Sequence, residues 1–361
     1  MPHSAGPDRT TPTAGAAASV GLAALSPANF GMVMATGIVS IAAQRFALPR
    51  VALALLVVSA LAYAALWMLT LLRALRHRAA LLDDLTDHRR APGFFTTIAA
   101  TGVLGAQCLL VAGSPRCAAV LWALTIVLWA LGTYTIFAGL TVKAHKPALE
   151  KGIDGGWLLA VVATQSIAVL GALLASQAAP AQREALLFFA LSMWAWGGML
   201  YIWLMTLIFY RYAFFPLAPD DLTPPYWINM GAMAISTLAG ALLVAAAAPG
   251  TLLASLLPFL KGLTILFWAT GTWWIPLLLV LGVWRYVLQR YPLRYEPAYW
   301  AVVFPLGMYA TATDEMAEVL QLPFLMPLAP LFLALALGAW CVVFAGLAAQ
   351  VLRQWRPAHR P

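Results

Sequence analysis

Ten apolar runs fill this chain, at roughly 27–45, 51–72, 93–113, 117–142, 156–176, 185–210, 226–247, 254–284, 298–320 and 324–352. Each approaches or exceeds the ~20 residues needed to cross a bilayer. Lipid offers no partner to a backbone N–H or C=O, so such runs are helices or strands of a closed barrel. They are far too long for barrel strands. The chain therefore reads as an all-α integral membrane protein with ten transmembrane helices. Composition agrees: 63% of residues are hydrophobic and only 9% are charged, unlike any soluble domain of this length.

The runs repeat in pairs. Met34-Ala35-Thr36, Ala99-Ala100-Thr101, Val162-Ala163-Thr164, Met233-Ala234-Ile235 and Tyr309-Ala310-Thr311 lie mid-way along runs 1, 3, 5, 7 and 9. A second run of different character follows each. That pattern predicts five repeated helical hairpins, and a ring of hairpins can enclose a central pore. The odd runs are rich in Gly, Ala, Ser and Thr, which suit close helix contact or a wet cavity. The even runs hold eleven of the fifteen tryptophans, which suit lipid and its interfaces. The odd helices are expected inside and the even helices outside. Thr36, Ser40, Thr101, Thr164, Asn229, Ser236 and Thr311 are then the expected pore lining. The alternative for each hydroxyl is a bond to its own helix backbone.

Charge sets the orientation. Of the 21 Lys and Arg residues, 16 lie on the termini and on the loops after runs 2, 4, 6 and 8, and 5 lie on the other side. The positive-inside rule places both termini in the cytoplasm, in a cell (inner or plasma) membrane. Residues 1–24 lack the basic-then-apolar order of a signal peptide and read as a disordered cytoplasmic tail. Residues 25–352 form the transmembrane domain and 353–361 a cytoplasmic C-terminal tail. With this orientation the odd helices run outward. Their N-termini, each carrying roughly +0.5 charge, converge at the cytoplasmic mouth and attract anions without any buried Lys or Arg.

Other classes fit poorly. The basic residues are spread over short loops, so nucleic acid is not an expected partner. All five histidines lie outside the runs, which argues against haem. Cys108, Cys117 and Cys341 have no metal-ligand spacing, and no cofactor or metal is expected. Asp83-Asp84-Leu85-Thr86-Asp87 spells DDxxD, the metal-diphosphate motif of isoprenoid enzymes, so an intramembrane prenyltransferase is the rival from another class. It lacks a second acidic cluster of the right spacing and reads better as a solvated cytoplasmic loop. No catalytic residue is assigned. Lys261, inside run 8 near its outer end, is expected to snorkel to the interface, or else to attract anions at the outer mouth.

Run 9 carries a local signal: Phe304 stands beside Pro305, which removes a backbone donor and can kink the helix. Phe304 reads either as packing or as a ring blocking the pore. Near the outer end stand Asp314, Glu315 and Glu318. At that spacing they cannot all face the pore. They either end the helix in water or carry protons in a coupled carrier.

The strings Pro27-Ala28-Asn29-Phe30-Gly31-Met32-Val33-Met34-Ala35-Thr36-Gly37, Leu222-Thr223-Pro224-Pro225-Tyr226-Trp227-Ile228-Asn229-Met230-Gly231-Ala232, and Tyr299-Trp300 with Phe304-Pro305-Leu306 resemble the tellurite-resistance/C4-dicarboxylate transporter family. That family also contains the slow anion channels of plant guard cells. The resemblance covers about 27–350. It implies a homotrimer in which each protomer has its own pore, lined by odd helices and occluded by a phenylalanine at the position of Phe304. It implies small inorganic anions or C4-dicarboxylates as cargo, with tellurite resistance as a family activity. Anion channel and proton-coupled dicarboxylate symporter both remain open.

Overall fold

The computed structural model describes residues 21–355. Of the expected tails, 1–24 and 353–361, residues 1–20 and 356–361 lie outside the described residues, while 21–23 and 353–355 are helical, contrary to a wholly disordered tail. Those described are helices, turns and loops, with no strand among them. Ten long helices follow in order: α1 Gly31–Arg45, α2 Pro49–Arg76, α3 Phe95–Leu110, α4 Pro115–Val142, α5 Leu159–Ala175, α6 Pro180–Phe214, α7 Ile228–Ala245, α8 Leu257–Val283, α9 Trp300–Val319 and α10 Leu328–Trp355. Eight are long and apolar enough to cross a membrane. The other two are α1, of 15 residues, and α9, whose hydropathy is lowered by Asp314, Glu315 and Glu318.

Local sequence explains the helix starts. Pro occupies the first turn of α2, α4, α6 and α8, where a missing N–H costs nothing. Each odd-numbered helix is preceded by a 3-10 turn: Pro27–Phe30, Ala91–Phe94, Gly155–Leu158, Pro224–Trp227 and Pro297–Tyr299. Four of these turns carry Pro in their first positions. The third has none and is capped by Asp154, which accepts from the Gly156 amide at 2.8 Å. Burial pushes the Asp154 carboxyl above its usual range, and that bond together with Arg89 and Arg211 pulls it back. The five turns touch in sequence around a closed ring. Gly155 permits one contact: a Cβ there would lie 2.4 Å from the Pro225 carbonyl oxygen.

Each odd helix packs along the even helix that follows it, and the connection from α7 to α8 contains a short helical turn, Leu252–Ser255. The odd helices also pack on each other in the cycle α1, α3, α5, α7, α9 and back to α1. Burial separates two layers. Within their most apolar windows, α3, α5 and α7 with their lead-in turns are 78, 94 and 89% buried, against 22% for α2 and 17% for both α4 and α10. The even helices present Leu61, Val120, Leu131, Leu279 and Val342 outward, an apolar surface that suits lipid.

Candidate functional site: two cavities separated by Phe304

Two cavities lie inside the ring of odd helices. The outer one has a volume of 330 Å³ and takes wall residues from all five: Ile38 and Gln44 of α1, Val103 of α3, Ser166 of α5, Leu238 of α7, and Met308, Thr311 and Glu315 of α9, with Arg45 at its rim. The other has a volume of 350 Å³ and lies among the helix starts, walled by Asn29, Met34, Thr96, Leu159, Ile228, Trp300 and Ala301, with Glu296 alongside. Between the two levels of α9 comes Phe304, 0% exposed. Residues 304, 308, 311 and 315 recur at the spacing of one helix face. Phe304 therefore stands one turn below Met308 on the face that walls the outer cavity. Beside it, Pro305 lies within a continuous helix and against α7, where a Cβ on Gly231 would come within 2.8 Å of the proline ring.

The hydroxyls offered as pore lining are mostly placed elsewhere. Of the seven, Thr311 lines the outer cavity; the other six line neither cavity. Thr36 Oγ accepts from Trp340 Nε1 at 3.0 Å, Thr164 Oγ from Trp129 Nε1 at 2.9 Å, and Thr101 Oγ from the Tyr63 hydroxyl at 2.8 Å. The Ser236 carbonyl accepts from Trp194 Nε1 at 2.8 Å, and Thr313 Oγ from Trp268 Nε1 at 3.0 Å. In every case the aromatic of one even helix reaches the odd helix of the next hairpin, and Trp340 of α10 closes the circle onto α1. Ser40 bonds the Ala52 carbonyl of α2 at 2.7 Å. Asn229 is buried, with its amide nitrogen 3.5 Å from the Tyr212 hydroxyl.

The physical reason is the dry surround. An indole N–H facing hydrocarbon has no partner, so these aromatics turn inward and the repeated Thr and Ser positions supply acceptors. Trp203 and Trp273, half exposed, face outward as expected. Trp129→Phe keeps the ring and removes the donor. It is expected to lower unfolding free energy by about 0.6–1.7 kcal/mol in a denaturant titration. In the same series, Cys at Thr164 should resist aqueous thiol reagents while Cys at Thr311 reacts. Equal reactivity would contradict this placement.

The acidic group at the end of α9 has a partner that sequence reasoning overlooked. Arg45 holds Asp314 through Nε, Glu315 through Nη1 at 2.5 Å and Glu318 through Nη2 at 2.6 Å. Glu315 lines the outer cavity and Glu318 is exposed. The cluster pins the end of α1 to the end of α9 and leaves excess negative charge at the outer rim. In the DDxxD segment, Asp84 is buried between Arg73 (2.7 Å) and Arg90 (2.6 Å), and Asp87 accepts from the backbone amides of Arg89 and Arg90. Two of its three carboxylates are thus committed to the protein. No group of three or more His, Cys, Asp or Glu side chains is placed to hold a metal ion among the described residues.

The arrangement can be set beside known proteins. A sequence profile described as "voltage-dependent anion channel" matches residues 24–348. This chain belongs to the voltage-dependent anion channel family. An uncharacterized transporter of Methanocaldococcus jannaschii is 24% identical over 80% of this chain and 84% of its own length. An uncharacterized membrane protein of Mycobacterium tuberculosis is 41% identical over 44% of this chain and 83% of its own length. The family and the apolar helices make this a multi-pass membrane protein, and family membership supports anion transport in general terms.

Proposed function

We propose that this protein is an anion channel of the cell membrane. Ten spans, arranged as five repeated hairpins, surround a central pore that Phe304 closes. One observation carries the reading: two cavities, each walled by the same five helices, lie on either side of one buried phenyl ring. Both termini face the cytoplasm in this proposal, so the ring of helix starts is the cytoplasmic mouth. First-turn N–H groups and helix dipoles attract anions there, opposed by Glu296 at the wall. Thr311, Ser166 and Gln44 are the uncharged polar groups that meet the ion beyond Phe304, in a mostly apolar vestibule with Glu315 and Arg45 toward its rim. Inorganic anions are the proposed cargo, with C4-dicarboxylates and tellurite as further family cargo. The homotrimer rests on the resemblance alone.

A second reading, a proton-coupled dicarboxylate symporter, draws on Glu315, a mostly buried carboxyl facing the outer cavity beside Asp314 and Glu318. Arg45 weighs against it, because one guanidinium already engages all three carboxylates. Purified protein in liposomes separates the two. A channel should dissipate a chloride gradient equally with or without a pH gradient. A symporter should accumulate succinate when a proton gradient is imposed, and that result would replace the channel reading.

A further inference from the structure

Four even helices end in a basic residue that grips the segment leading into their own hairpin. Arg73 Nε donates to the Ala23 carbonyl at 3.1 Å, Lys143 Nζ to Thr86 at 2.6 Å, and Arg211 Nε to Glu150 at 2.9 Å, while Arg285 Nη1 donates to Leu222. Three of these are buried arginines. Arg73 has Asp84 at 2.7 Å and Arg211 has Asp221 at 3.4 Å. Arg285, 4% exposed, has no ion pair among the described residues.

Arg285 also lines a cavity of 220 Å³ between the end of α8 and the starts of α7 and α9, together with Thr223, Tyr226, Tyr286 and Tyr299. Two buried polar atoms of these residues have no partner: Arg285 Nε and the Thr223 hydroxyl. The Tyr286 and Tyr299 hydroxyls bond each other at 2.9 Å. The rings of Tyr286 and Tyr291 lie 5.1 and 4.1 Å from the guanidinium carbon. A π-helical turn, Trp284–Leu288, ends α8 at this point. Asp221 is engaged by Arg211, and Glu296 lines the axial cavity. A buried cation without a counter-ion is unfavourable, and an oxyanion would satisfy both the Arg285 guanidinium and the Thr223 hydroxyl.

We propose that Arg285 and Thr223 form an off-axis binding site for a phosphate group, separate from the central pore. Two sources share that chemistry, an anionic lipid headgroup and free phosphate. The α8 flank exposes Leu279, Val283 and Val287, so the site opens beside acyl chains. Its inner wall includes Val302, two residues before Phe304, so occupancy bears on the segment that carries the proposed gate.

The test uses full-length protein in detergent and reads the melting temperature against three probes: short-chain phosphatidylglycerol, short-chain phosphatidylcholine and inorganic phosphate. Wild type should be stabilised by phosphatidylglycerol and far less by phosphatidylcholine. In Arg285→Gln the half-saturating concentration should rise by about tenfold or more, with partial recovery in Arg285→Lys. Gly282→Leu is the second variant. Its added side chain starts in open space, since a Cβ at Gly282 meets nothing within 4 Å, and it keeps the Arg285–Leu222 bond. It fills the cavity and should weaken the response even if Arg285→Gln folds poorly. A matching Arg285-dependent response to inorganic phosphate assigns the site to the free ion, and a response to phosphatidylglycerol alone assigns it to lipid. Absence of any stabilisation, or equal responses in wild type and Gly282→Leu, overturns the site.

Discussion

Phe304→Ala is expected to raise anion conductance by on the order of tenfold or more, the gain from lowering the constriction's barrier by about 1.4 kcal/mol. A dry apolar constriction excludes hydrated ions, and the substitution removes the ring without adding charge. Phe304 is fully buried, so its burial alone does not separate a plug from a core residue. The two roles differ in energy and in flux. A well-packed core Phe→Ala change costs about 3–5 kcal/mol. A ring that separates two preformed cavities has less packing to lose, and its removal joins them. The protein should keep most of its melting temperature while single-channel current rises. A large fall in stability with unchanged current per folded protein would assign Phe304 to packing and leave Pro305, wedged against Gly231, as the functional element.

The second large effect is at the outer rim. Arg45 binds three carboxylates, and Arg45→Gln leaves them without a cation beside the outer cavity. In a Phe304→Ala background this change should cut anion conductance by on the order of tenfold, because the local field sets ion concentration in a low-dielectric mouth. Stability should also fall, since α1 and α9 lose their staple. Glu315→Gln works in the opposite sense: Arg45 keeps two partners and the cavity wall loses a negative charge, so conductance should rise. The effects should shrink at high salt, as screening requires. Conductance insensitive to both substitutions would remove the cluster from the ion path.

Much of the architecture was legible in the chain. The apolar runs overlie long helices, eight of them apolar enough to cross a membrane, and the small-residue and Trp-rich segments separate into a buried and an exposed layer. The site was legible less evenly. Thr311 lines the outer cavity, and Phe304 lies on α9 between the levels of the two cavities. Thr36, Thr101 and Thr164 do not, although they occupy equivalent repeat positions. Equivalence established that they share an environment without saying which one. A hydroxyl accepting from an indole and a hydroxyl facing a pore have the same sequence signature. The partners were visible, since Tyr63, Trp129, Trp194, Trp268 and Trp340 recur at nearly the repeat spacing, but they read as lipid anchors. The basic residues show the same loss of detail. Arg45 entered only as one of five outer charges. Arg73, Lys143, Arg211 and Arg285 entered only as a positive-inside bias, whereas each is bonded to a particular carbonyl. The contact between residues 45 and 314 depends on the closed ring, that between 285 and 222 on the packing of α8 against α7, and neither has a local trace.

The central claim is that anions cross along the axis of the five-helix ring once Phe304 is removed. The most direct test is the reversal potential of purified Phe304→Ala protein in a planar bilayer, under a tenfold potassium chloride gradient. The account predicts currents that reverse close to the chloride equilibrium potential, and wild-type currents of the same selectivity but smaller size. Reversal near zero or toward the potassium potential would contradict it.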